Sequence, residues 1–121
     1  MSDNVIVSMF HWWNEAIRNP DGFTPEAFAR FYTEDAQLIV NGNLRATGHV
    51  ALAAHYRRVQ EIAPTAQMEL PVAEEFTAPG RAFVHVFEHV AEGDGETRRE
   101  CMAYAVVEEG RMKLLRVVGI G

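Results

Sequence analysis

The spacing of apolar residues changes from a helical to a strand-like period near Pro64. Before Pro64 they recur three and four residues apart, which predicts amphipathic helices, and after it they alternate with polar residues, which predicts strands. Helices followed by strands predict an α+β fold, with three N-terminal helices packed on a curved, mainly antiparallel sheet. The predicted helices cover about 4–18, 25–33 and 49–61, and the predicted long strands cover about 65–77, 81–92, 97–108 and 111–119.

A short hairpin is predicted between the second and third helices. A strand at about 36–41 carries Leu38 and Val40 on one face, and the turn at 41–43 leads to a returning strand at about 44–46. The length of 121 residues favours a single domain over 1–121.

The charge and cysteine content restrict the possible partners and compartment. A formal net charge of −6 argues against nucleic acid, because a phosphate backbone would be repelled. Cys101 is the one cysteine, so no intramolecular disulfide can form and a cytoplasmic location is expected. No apolar run approaches the roughly 20 residues of a membrane span, and no signal peptide is read at the N-terminus. A membrane partner is therefore not expected.

The predicted strands have two unlike faces. If the turn at 93–95 is the hairpin centre, His85 lies near Ala103 and Phe87 lies near Cys101. Aromatic side chains opposite small ones leave space for a cavity under the helices. A slip of one residue would reverse the faces, so this assignment depends on the register.

The opposite face of the predicted sheet is apolar, and no helix remains to cover it. A second copy of the chain is the expected cover, which predicts a homodimer through the back of the sheet. On this register Glu88 lies on the back face with Arg116, as an interface ion pair. The apolar residues assigned to the back face include Val84, Val86, Met102, Tyr104, Val106 and Leu114.

The order of elements and four sequence segments resemble the nuclear transport factor 2-like superfamily, in its SnoaL-like and ketosteroid isomerase-like branch. The segments are FYTEDA, the turn to Gly48, ALAAHY and GRMKLLRV, and the resemblance covers nearly the whole chain. It implies a cystatin-like cone fold, a deep apolar pocket that binds a small hydrophobic molecule, and frequent dimers. The fold hosts isomerases, cyclases, hydrolases and non-catalytic modules, so the resemblance alone does not select an activity.

The best-known catalytic groups of the resembling enzymes are absent from this sequence. The resemblance puts Val40 where ketosteroid isomerases have their general base, and Ala103 where they have a protonated Asp. Trp13 lies near the position of their tyrosine. Val117 occupies the position of a catalytic Asp in limonene epoxide hydrolase-like members. A standard ketosteroid isomerase mechanism is therefore not expected.

Histidine and tyrosine side chains are the remaining candidates for proton transfer. His55, on the apolar stripe of the third helix, and His85 would be acid and base, with Tyr56 and Tyr32 as hydrogen-bond donors. Satisfied core histidines are the competing interpretation. Other predicted pocket residues are Trp13, Leu38, Val40, Leu52, Phe83, Phe87, Ala103, Leu115 and Val117.

Three functions remain open: a cofactor-independent isomerase, cyclase or hydrolase, a non-catalytic small-molecule binder, and a dimerisation module. No cofactor is expected, because glycine motifs for nucleotides are missing. No metal is expected either, because His85 and His89 would lie about 13 Å apart along a strand. Cys101, among small apolar neighbours, is interpreted as a core residue.

Overall fold

A computed structural model describes residues 3–92 and 95–120 of the chain. It has the predicted α+β organisation, with helices packed on a large mixed sheet. The helices are α1 (Val5–Ala16), α2 (Pro25–Phe28) and α3 (His49–Ile62). The strands are β1 (Tyr32–Val40), β2 (Asn43–Thr47), β3 (Gln67–Met68), β4 (Glu74–Ala78), β5 (Arg81–Glu92), β6 (Gly95–Glu108) and β7 (Arg111–Ile120).

The sheet follows the order β2-β1-β7-β6-β5-β3, and β4 also pairs with β5. The long strands β5, β6 and β7 form an antiparallel meander, as the sequence predicts. β1 pairs with β7 in parallel, which attaches the N-terminal hairpin to the edge of the meander. One continuous sheet therefore curves beneath the helices.

Two polar caps start the first helices. The Asn4 side chain accepts from the Ile6 amide at 3.0 Å and donates to the Phe83 carbonyl at 3.1 Å, which joins α1 to β5. Thr24 caps α2 and Pro25 occupies its first turn, as predicted. The Asn4 contacts fix the start of α1 against the sheet, and the Thr24 cap fixes the start of α2.

Two elements are shorter than the sequence predicts. The second helix ends at Phe28, because the chain turns and Tyr32 joins the sheet opposite Met112. The strand predicted at 65–77 is divided into β3 and β4, and Pro71, which has no amide hydrogen to donate to a sheet, lies between them.

The register of the β5–β6 hairpin differs by one residue from the prediction. Gly95 pairs with Glu92 as part of β6, rather than lying inside the turn. Residues 93 and 94 of the predicted turn lie outside the described residues. His85 consequently pairs with Met102 and not with Ala103, and every side chain of β5 changes face relative to β6.

The face of the sheet under the helices carries the core. Val84 and Val86, which the sequence predicts on the back face, are fully buried on this inner face beside Ala103 and Cys101. Phe83 and Phe87 are on the outer face, so their predicted position under the helices is wrong. An aromatic cluster of Trp13, Phe23, Phe28, Tyr32 and Tyr56 fills the space between helices and sheet.

Within the described part of the chain, no helix is long and apolar enough to cross a membrane.

Candidate active site

A cavity of about 150 Å³ lies between the helices and the inner face of the sheet. Helices α1 and α3 form one wall, and strands β1, β3, β5, β6 and β7 form the other. Most of its lining is apolar, which suits the body of a small hydrophobic molecule. The apolar lining includes Met9, Phe10, Trp13, Val40, Leu115 and Val117.

The structure places the predicted pocket residues in three groups. Trp13, Val40, Ala103, Leu115 and Val117 line the cavity. Leu38 and Leu52 are fully buried in the core but do not line it. Phe83 and Phe87 lie on the outer face, where Phe83 stacks on Phe76 at 4.8 Å between ring centroids and Arg98 lies over the Phe87 ring.

His85 is not part of this cavity, so its predicted role as the partner of His55 is wrong. The one-residue change of register turns its ring to the outer face. There Nε2 of His85 lies 2.7 Å from Oε2 of Glu100. His89, also on the outer face, contacts Glu69 at 2.5 Å and also contacts Glu96.

The same change of register brings Glu88 into the cavity, which corrects its assignment to the back face with Arg116. The Glu88 residue is only 9% exposed, and its carboxylate lies 3.5 Å from the Arg99 guanidinium. Burial raises the pKa of this carboxyl, although Arg99 acts in the opposite direction. Val84, Val86 and Glu88 are two residues apart along β5 and so lie on the same face. This spacing is the sequence signal that could have placed Glu88 in the cavity.

His55 lines the cavity from α3. Its pKa is lowered, first by burial and then by the positive charges of Arg58 and Arg45. Its ring meets the ring of Tyr56 edge-on, with centroids 4.9 Å apart. At neutral pH the imidazole is therefore uncharged, and one ring nitrogen is available to accept a proton.

The two tyrosines predicted as donors have different positions. Tyr56 lines the cavity, and its pKa is raised by burial and by the charge of Glu88. Tyr32 is fully buried beside Tyr56 and does not line the cavity. Burial, followed by the nearby Tyr56 phenol, raises the pKa of Tyr32. No described residue, and this includes Tyr56, lies in hydrogen-bonding geometry with the Tyr32 hydroxyl.

The Cys101 thiol is buried and also lines the cavity. Burial raises its pKa, and the charge of Glu88 adds to this effect, so the thiol is protonated at neutral pH. The thiol forms a small part of the cavity wall and does not act as a nucleophile. Among the described residues, no three His, Cys, Asp or Glu side chains converge as metal ligands would.

No family model and no curated protein matches the sequence. Solved structures do match. One named as a SnoaL-like polyketide cyclase, from Jannaschia sp. CCS1, has a TM-score of 0.78 and 11% identity over 95% of this chain and 82% of its own. A ketosteroid isomerase-like protein from Catenulispora acidiphila, in complex with trimethylamine, has a TM-score of 0.71 and 9% identity over 92% and 82%.

The chain has the nuclear transport factor 2-like fold. The LEH-like epoxide hydrolase from M. tuberculosis shares it, with a TM-score of 0.66 and 16% identity over 96% of this chain and 83% of that one. The resemblance read from the sequence is thus confirmed at the level of the fold. Such identities show the fold alone, and the activity has to be argued from the site.

Proposed function

We propose that the protein binds a small hydrophobic molecule in this cavity and transfers a proton on it. The reaction would be an isomerisation, cyclisation or hydrolysis that needs no cofactor. One observation carries the proposal: a buried carboxyl and an uncharged histidine, Glu88 and His55, both line a largely apolar cavity. Titratable groups with pKa values altered by their surroundings are typical of active sites.

The direction of the two pKa shifts suggests a role for each group. The raised pKa of Glu88 favours its protonated form, which can give a proton to a developing oxyanion. The lowered pKa of His55 favours the neutral imidazole, which can accept a proton. Tyr56 keeps its hydroxyl proton over the physiological range and serves as a hydrogen-bond donor. Glu88 is therefore proposed as the acid, and His55 as the base.

Solved proteins of this fold suggest which substrates to try. Those in the comparison are named as polyketide cyclases and as an epoxide hydrolase, besides the ketosteroid isomerase-like protein. Enolisable ketones, polyketide-like diketones and epoxides of one-ring size are thus the compounds to screen. Bulkier polycyclic substrates would need more room than the cavity of about 150 Å³ provides.

The test is turnover by the wild-type protein and three variants. Glu88→Gln and His55→Gln should each lower kcat/KM by about 10²- to 10⁴-fold, the usual contribution of a positioned acid or base. His11→Gln is the matched control, because His11 is exposed on α1 and lies outside the cavity. Equal activity of all three variants would refute the assignment.

Binding without catalysis is the second candidate function. The observation in its favour is that Val40, Ala103 and Val117, which correspond to acids in the resembling enzymes, add only apolar wall to the cavity. Saturable binding of a screened compound without product, at any pH between 5 and 9, would support it over the enzyme.

We further propose that the outer face of the sheet pairs with a second copy of the chain. Met102, Tyr104, Val118 and Ile120 leave 46%, 38%, 54% and 71% of their surfaces exposed on this face. Sedimentation at micromolar concentration should give a dimer, and Met102→Glu should give a monomer. Val50→Glu is the control, because Val50 is 74% exposed on α3, away from the sheet. A monomeric wild-type protein would refute the pairing.

A further inference from the structure

Arg99 lies where the cavity meets solvent. Arg99, Cys101 and Ala103 are two residues apart along β6, so the Arg99 side chain lies on the inner face with the other two. Its side chain nevertheless stays 42% exposed. The guanidinium is therefore accessible from solvent and from the cavity, unlike the apolar walls deeper in the fold.

The absence of a side chain at position 119 makes room for this guanidinium. A Cβ atom on Gly119 would lie 3.2 Å from Nη2 of Arg99 and 3.3 Å from Sγ of Cys101. Both distances are shorter than ordinary van der Waals contact. The Arg99 head group thus lies across the backbone of β7, at the edge of the cavity.

Arg99 has hydrogen-bonding capacity left over in this position. A guanidinium carries five N–H donors. Within the described residues its polar side-chain partner is Glu88, at 3.5 Å. Charge-assisted hydrogen bonds are usually about 2.7–2.9 Å long, so this contact is loose. An anion could take two of the remaining donors in parallel.

The charged groups near the cavity have both signs, and the whole chain carries a net charge of −6. Arg99 and Glu88 line the cavity, and the charge of Glu100 is close enough to raise the pKa of Cys101. Arg45 and Arg58 are close enough to lower the pKa of His55. Glu88 is the carboxylate among the described lining residues, and its other titratable neighbours are the uncharged Tyr56 of α3 and Cys101 of β6. The lining residues from α1, β1, β3 and β7 carry no charge.

We propose that the edge of the cavity is an anion subsite, and that the ligand is a small hydrophobic carboxylate. Its head group would lie on the Arg99 guanidinium across Gly119, and its apolar body would extend between Trp13 and Val117. This inference rests on the proposed binding function and specifies its ligand class. A cavity of about 150 Å³ accommodates one aromatic ring.

Anion binding should be coupled to a proton at Glu88. A bound carboxylate competes for Arg99, which is the group that favours the ionised form of Glu88. It also places a second negative charge nearby. Both effects favour protonation of Glu88, so the complex should take up a proton from solvent and bind more weakly as the pH rises.

The experiment compares phenylacetate with phenylacetamide, which has nearly the same shape and no charge. Calorimetry in two buffers of different ionisation enthalpy gives the affinity and the number of protons taken up. We expect phenylacetate to bind about tenfold more tightly at pH 6, as a charge-assisted contact implies. We also expect proton uptake with the acid and none with the amide.

Three variants identify the groups responsible. Arg99→Gln should remove the preference for the acid over the amide. Arg116→Gln is the matched control, because Arg116 is an exposed arginine on the outer face. Glu88→Gln should strengthen acid binding and abolish proton uptake. This opposite change keeps the test decisive if Arg99→Gln fails to fold.

The outcomes separate this inference from the function on which it rests. Amide binding equal to or tighter than acid binding would overturn the anion subsite and leave the hydrophobic binding function intact. An acid preference that survives Arg99→Gln would overturn it as well. If neither compound binds, both proposals fail.

Discussion

Replacing Ala103 by leucine tests the cavity directly. Ala103 is 1% exposed in the middle of β6, between Val84 and Val117 on the neighbouring strands, and it lines the cavity. Leucine adds three carbon atoms, which a volume of about 150 Å³ can accept. In a tightly packed core the same change would force neighbouring side chains apart.

The expected gain in stability follows from the added apolar surface. Three buried carbons contribute about 2.4 kcal/mol, at roughly 0.8 kcal/mol for each. Ordering the leucine side chain costs about 0.5–1 kcal/mol. Ala103→Leu should therefore raise the free energy of unfolding by about 1.5–2 kcal/mol, measured by urea denaturation with an unchanged m-value. It should also lower the affinity for phenylacetamide, because the new side chain fills ligand space.

Ala105→Leu is the matched control, because Ala105 is fully buried two residues further along the same face but does not line the cavity. Overpacking there should lower the free energy of unfolding by about 1–3 kcal/mol. Equal destabilisation by both substitutions would refute the reasoning, and so would unaltered ligand binding by Ala103→Leu.

Three further changes probe the titratable groups. Glu88→Gln should stabilise the protein above about pH 4.5. The gain should vanish at lower pH, where the wild-type carboxyl is protonated in both the folded and the unfolded state. Urea denaturation at several pH values measures the gain in stability, and a gain independent of pH would contradict the assigned cause. Tyr32→Phe should raise the free energy of unfolding by about 1 kcal/mol, because it removes a buried hydroxyl without a described partner. A lower free energy of unfolding would show that the hydroxyl is hydrogen-bonded. Ligand binding should shift the pKa of His55 in an NMR titration, while the ring signals of the exposed His11 should not respond to the ligand. An unresponsive His55 would exclude it from the site.

The starts of the helices and the antiparallel meander of β5, β6 and β7 were largely predictable, because they depend on local periodicity and turn chemistry. The Thr24-Pro25 start of α2 and the bounds of α3 follow from capping residues and an apolar stripe. The parallel pairing of Tyr32 with Met112 did not follow, because it joins residues far apart in sequence. It converts the predicted end of the second helix into the start of β1.

The chemistry of the site was less predictable, because it depends on a single residue of register. Whether Gly95 belongs to the turn or to β6 decides which face of β5 lies under the helices. The prediction with Gly95 in the turn brings His85 inside and leaves Glu88 outside, and the structure reverses both. Periodicity fixes which residues share a face, but it does not fix which face meets the helices.

The raised pKa of Glu88 implies that its ionisation opposes folding at neutral pH, and this makes Glu88 more informative about function than the apolar lining. A buried carboxyl with a raised pKa favours unfolding as it ionises, and its loose contact with Arg99 only partly offsets the effect of burial. Trp13 or Leu115, by contrast, would be buried in this fold with or without a ligand. If both substitutions stabilise the protein, while Ala103→Leu impairs ligand binding and Glu88→Gln impairs turnover, the native residues at both positions lower stability and support function. A cavity that is merely a packing defect would give the gains in stability without the losses in function.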